Sequence, residues 1–133
     1  MAPATSNDPV ERVRDARSAA VKLTVYHIPP DTATLSAISP AALESFPDVV
    51  VDDIEDAAVI ESALAAIEAS RPTPSARPLD ARYGLVFSDA TGTRVLGAYK
   101  GAFATRGQID EQPCDFNELA LHAWLVARYP PPT

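Results

Sequence analysis

YGLVFSDATGTRVLGAYK, Tyr83 to Lys100, holds two apolar runs on either side of Asp89-Ala90-Thr91-Gly92. Asp starts turns by bonding its own downstream backbone, and Gly is free to take φ > 0, so the spacing predicts a β-hairpin. Leu85 and Phe87 share one face of the first strand, and Val95 and Tyr99 share one face of the return strand. Gly84 and Gly97 interrupt the strands and mark bulges or close packing. This hairpin fixes the fold class, because everything else must supply partners for its strands or a cover for its faces.

Working toward the N-terminus, VKLTVYHI, Val21 to Ile28, places Val21, Leu23 and Val25 on one side and Lys22, Thr24 and Tyr26 on the other. That alternation is a half-buried strand, stopped by Pro29-Pro30. Residues 32–38 could add a short extended piece, and Ser39-Pro40 opens a helix of one to two turns that Pro47 ends. Residues 1–20 read as a flexible N-terminus carrying a short helix, with Asp8 as N-cap and Pro9 at its first position. With few apolar residues, that helix is expected to be frayed or loosely docked.

The segment DVVVDDIEDAAVIESALAAIEAS, Asp48 to Ser70, begins with Val49-Val50-Val51 and becomes Ala-rich. The unalternating valines suggest a strand covered on both faces or a short core segment. A helix is expected from about 53 to 69, capped by Asp52 or Asp53, with Ala57, Ile60, Leu64 and Ile67 as its apolar stripe. Three prolines make residues 70–81 a stiff surface linker. Residues 101–114 read as a loop with a short strand at Phe103. A last helix spans about 115–128, capped by Asp115 with Glu118 at N3, its stripe running through Phe116, Leu119, Ala120, Ala123, Trp124 and Ala127 and widened by Leu121 and Leu125.

The expectation is therefore an α+β fold in one domain over 21–130: an antiparallel sheet of three to five strands, including the 83–100 hairpin, with the two amphipathic helices on one face. A chain of 133 residues with 47% apolar and 22% charged residues can build one such core.

The net charge of −7 is distributed unevenly. Residues 23–70 hold nine acids and no Lys or Arg, while the flanking segments each come out slightly basic. Such a field disfavours nucleic acid and speeds association with a basic protein. Glu44, Asp48, Asp52, Asp53, Glu55, Asp56, Glu61 and Glu68 form the candidate binding face. The acids at 52–56 lack the alternate spacing and central Gly of a calcium loop, and acids at a helix start are explained by its dipole, so no metal site is expected.

Catalytic spacing is sparse. Cys114, Asp115 and His122 are the one set that suggests a nucleophile and base, with Cys114 placed before the expected helix, whose dipole would lower its pKa. His122 lies ~10 Å along that helix from Asp115, too far for direct activation. His27 near Asp31 would make a pH-sensitive contact, although a histidine at a strand end needs no such role. No glycine pattern cradles a phosphate, no basic stripe with interleaved aromatics meets nucleic acid, and no run reaches the ~18 apolar residues of a membrane span. No cofactor is expected. One cysteine excludes an internal disulfide. The cytoplasm is the default compartment, with export the alternative if Met1 replaces a removed signal peptide.

The functional expectation is a small non-catalytic protein-binding domain of bacterial type with an acidic face: an inhibitor or immunity protein for a basic toxin or hydrolase. The alternatives are a small enzyme or ligand-binding domain using Cys114, Asp115 and His122, and a structural subunit of a larger assembly. Oligomeric state does not follow from the sequence.

Overall fold

The computed structural model describes residues 8–28, 37–47, 49–76, 79–101 and 105–130. It is an α+β fold built on one seven-stranded antiparallel sheet with four helices. In chain order the elements are α1 (Pro9–Arg17), β1 (Lys22–His27), α2 (Pro40–Glu44), β2 (Val50–Ile54), α3 (Ala57–Ala69), β3 (Pro72–Pro74), β4 (Ala81–Ser88), β5 (Arg94–Gly101), β6 (Arg106–Ile109), β7 (Gln112–Phe116) and α4 (Ala120–Arg128). The sheet order is β2-β1-β4-β5-β6-β7-β3.

The hairpin forms and makes the centre of the sheet, but Val95 and Tyr99 do not share a face: a bulge between Phe87 and Ser88 leaves Val95 against the helix-covered core, while Tyr99 packs on the other side. The Asp89 carboxylate accepts from the backbone N–H of Thr91 (2.9 Å) and of Thr93 (3.0 Å), while Gly92 takes φ +84°. Leu85 and Phe87 are fully buried and face Ala98 and Leu96 across the ladder. On the opposite face a Cβ at Gly84 or Gly97 would sit 3.1 or 3.0 Å from the Tyr99 side chain, so both glycines give that ring room to lie flat on the sheet.

One sheet face carries Leu23, Val25, Leu85, Phe87, Leu96, Ala98, Ile109, Cys114 and Phe116, and α1, α3 and α4 cover it. Two amphipathic helices were too few: α1 lies on that face beside α3 and α4, and α2 makes a fourth. The other face is covered by α2, where Leu43 joins Ile28, Ile38, Leu79, Ala81 and Tyr99. β4 is consequently buried along seven successive residues.

Several expectations fail for identifiable reasons. Three to five strands were too few, because the expected linker contributes β3 and the expected loop at 101–114 contributes β6 and β7. β6 and β7 meet through a tight turn at Asp110-Glu111, with Ile109 opposite Gln112 and Asp110 at φ +51°. Asp tolerates that left-handed conformation, a signal weaker than Asn-Gly. The strand placed at Phe103, and most of the one placed at 32–38, lie outside the described residues.

The valine run is not covered on both faces. β2 is the edge of the sheet, with Val50 49% and Val51 51% exposed. α3 starts at Ala57 rather than 53, and its N-cap is Asp56, which accepts from Ala58 N–H at 2.9 Å and Val59 N–H at 3.3 Å. Asp52 and Asp53 belong to β2. The stripe Ile60, Leu64 and Ile67 is buried as expected, joined by Ala63 in place of Ala57.

α4 begins at Ala120, not 115, and Asp115 caps nothing because it belongs to β7. Ser70, fully buried, does that work from a distance: its Oγ accepts from Leu121 N–H (2.7 Å) and its carbonyl from Glu118 N–H (3.0 Å), while the same hydroxyl donates to Ala66 O (2.9 Å). One serine closes the end of α3 and the start of α4. The buried face of α4 is Leu121 and Leu125, whereas Leu119 is 57% exposed. α1 is docked by Val13 (0% exposed) and Ala16 (3%) and tied down by Arg12 to Asp110 at 2.7 Å.

Candidate protein-binding edge

β2 pairs with β1 through Leu23↔Ile54 to His27↔Val50, and no described strand occupies its outer side. Three valines before the acids give a β-favouring run, and Ile54 anchors its end in the core at 5% exposure. The alternation of a strand then sends Asp52 toward α4 and Asp53 to the opposite face. Asp52 Oδ2 accepts from Tyr129 Oη at 2.6 Å and lies 3.6 Å from Arg128 Nε. Burial and that bond together hold the Tyr129 phenol protonated above its ordinary range. Asp53 accepts from Thr24 Oγ1 at 2.9 Å, with Lys22 Nζ at 3.7 Å. Glu55 follows β2, is exposed, and has no ion pair among the described residues.

Beyond β2 lies a cleft of about 340 Å³, between the end of α1 and the start of α3. Ala20, Val21, Ile60 and Leu64 line it, with Glu55, Glu61 and Arg17 also on its walls. The open strand edge and the cleft meet at Glu55.

The remaining acids of the base-free segment are answered from elsewhere in the chain. Glu44, on α2, meets Arg94 at 2.6 Å. Glu61 and Glu68, on α3, each meet Arg17 at 2.9 Å, and Arg14 lies 3.6 Å from Glu68. Asp48 lies outside the described residues. Among the seven described candidates, Asp53, Glu55 and Asp56 lie on and just after β2, while Glu44, Asp52, Glu61 and Glu68, on α2, β2 and α3, each meet a basic side chain.

Cys114, Asp115 and His122 are not assembled as a nucleophile and base. Cys114 is 2% exposed and faces the helix-covered core, while Asp115, its neighbour in β7, points to the other face. Burial, reinforced by the Asp115 charge, pushes the thiol up to about 12, the opposite of activation. The imidazole of His122 is held below its usual range by burial and by the Lys100 charge. Asp31 lies outside the described residues. His27 instead stacks on Tyr83 (6.2 Å between centroids) and meets the tilted ring of Tyr129 at 4.5 Å, and burial lowers its pKa against the opposing pull of Asp52.

Sequence reading missed Lys100. It is fully buried on β5, donates to Gly101 O at 2.9 Å and lies 5.0 Å from the centroid of Tyr83. No described carboxylate pairs with it, and burial pushes its amine down to about 8. The period of two, carried one step past Leu96 and Ala98, places Lys100 on their inward face.

No group of three or more His, Cys, Asp or Glu among the described residues is arranged to hold a metal ion, and no described helix is long and apolar enough to cross a membrane. No protein-family model, curated protein or solved structure matches the chain.

Proposed function

We propose that this chain is a small non-catalytic protein-binding domain that accepts an extended, basic segment of its partner along the outer edge of β2. The observation that carries the reading is the edge itself: an open strand with Val50 and Val51 half exposed, running into Asp53, Glu55 and Asp56. An open strand edge pairs with extended chain through main-chain hydrogen bonds, and exposed side chains on either face set the preference. Two β2 strands pairing with each other would bring carboxylates face to face, which is unfavourable. The charge selects against a second copy and in favour of lysine and arginine. An inhibitor or immunity protein of bacterial type, directed at a basic toxin or hydrolase, is the concrete form of this reading.

The test uses synthetic peptides of about eight residues, long enough at ~3.3 Å per residue to span β2 and its flank. They alternate Lys or Arg with Val, Thr or Tyr. Amide hydrogen exchange should show new protection in β2, and binding should weaken at high salt. Charge reversal at Asp53 and Glu55 should abolish binding without changing the circular dichroism. Peptides that bind without protecting β2, or that bind the reversed variant equally well, would overturn the reading.

A further inference from the structure

The cleft at the end of β2 has a composition that matches one kind of side chain. Its floor is apolar: Ala20 and Val21 ahead of β1, Ile60 and Leu64 from α3. Its rim carries carboxylates, Glu55 on one wall and Glu61 on α3. A long aliphatic stem ending in a cation lays its methylenes on such a floor and keeps its charge at the rim. At about 340 Å³ the cleft is at the small end of ligand pockets and has room for one long side chain.

The charges around it decide the sign. Arg17 also lines the cleft, but it is engaged by Glu61 and Glu68, each at 2.9 Å. Lys22 is directed to Asp53, at 3.7 Å. Glu55 is therefore the wall carboxylate that no described cation answers. Its position also fits. Glu55 lies immediately past the last residue of β2 and lines the cleft.

We propose that this cleft holds a lysine or arginine side chain of the partner segment, its aliphatic stem on Val21, Ile60 and Leu64 and its cation on Glu55. The proposal rests on the reading of β2 as the docking edge and adds the residue type that edge selects at its end.

The experiment places lysine, arginine, norleucine or citrulline at the terminal position of an otherwise constant Lys-Val peptide. Affinity is measured together with β2 amide protection, against the native protein, Glu55→Gln and, as a control for net charge, Glu111→Gln. Lysine and arginine should bind about threefold to fivefold tighter than norleucine and citrulline, the size of an exposed ion pair. That preference should vanish in Glu55→Gln, persist in Glu111→Gln, and shrink as salt is raised. Equal binding of norleucine and lysine, or an undiminished preference in Glu55→Gln, overturns the proposal while β2 protection still upholds the docking edge. Absence of β2 protection with every peptide removes the edge and the cleft together.

Discussion

Replacing Lys100 with methionine should make the protein more stable at neutral pH. The lysine is fully buried with no carboxylate partner among the described residues, and its pKa falls from 10.5 to about 8. At about 1.36 kcal/mol per unit, that fall corresponds to roughly 3 kcal/mol spent on keeping the ammonium inside. The Tyr83 ring, 5.0 Å away, works the other way, favouring the charged form by about 1 kcal/mol. Desolvation wins, and Lys100→Met, similar in length and uncharged, should gain roughly 2–3 kcal/mol at pH 7.

The pH dependence is the sharper part. A base whose folded pKa is depressed carries its full penalty below about pH 8, and loses it as pH rises toward 10.5, where the unfolded lysine also deprotonates. The advantage of Lys100→Met should therefore shrink by at least about 1 kcal/mol between pH 7 and pH 10. Cys114 and Tyr99, both pushed up to about 12, act in the opposite sense, because their stability contribution falls as pH rises past 9.0 and 10.0 respectively. Both groups are present in both proteins, so their effect cancels in the difference. Chemical denaturation of the two proteins at several pH values measures it. Parallel stability curves, or a variant less stable than the parent at pH 7, would show that the buried charge is compensated and refute the reasoning.

Two further perturbations test the core. The Cys114 thiol, buried and held at about 12, should resist alkylation at pH 8 in the native protein and react promptly once denaturant unfolds it; rapid native labelling would return Cys114 to the list of reactive groups. Gly107→Ala should destabilise by about 1–3 kcal/mol or more, since its Cβ would overlap the ring of Phe116, and adding Phe116→Leu should recover part of the loss in thermal unfolding. A variant with alanine at position 107 that melts like the parent would show that the Phe116 ring has somewhere else to go.

The parts of the fold visible in the sequence are those whose cause is local. Asp89 and Gly92 set their own turn, Asp8 and Ser39 cap their own helices, and the Ile60-Leu64-Ile67 stripe declares its face. What sequence reading misplaced depends on distant partners. Asp115 followed by Glu118 three residues later matches a capping box, yet β6 and β3 bid for the same backbone and capture Gln112–Phe116 as a strand. The helix can then begin only at Ala120, capped by Ser70, fifty-one residues before the amide it receives. Likewise Pro72–Pro74 reads as linker, but a sheet edge needs fewer donors than a central strand, and β3 occupies such an edge.

The candidate site follows the same division. The base-free run from 23 to 70 is real in the sequence, and its meaning changes in space. Arg14, Arg17, Lys22, Arg94 and Arg128 all come from the flanking segments and meet Glu44, Asp52, Asp53, Glu61 and Glu68. Charges segregated along the chain thus act as cross-links between elements: α1 to α3, α2 to β5, α4 to β2. Exposed pairs of this kind add little stability each, but they disfavour alternative arrangements that would leave the acids of the middle segment packed against one another. Among the described residues, the field that survives this pairing is narrower than the sequence implied. It sits at Glu55, beside Asp53 and Asp56, where the sheet ends and the cleft begins.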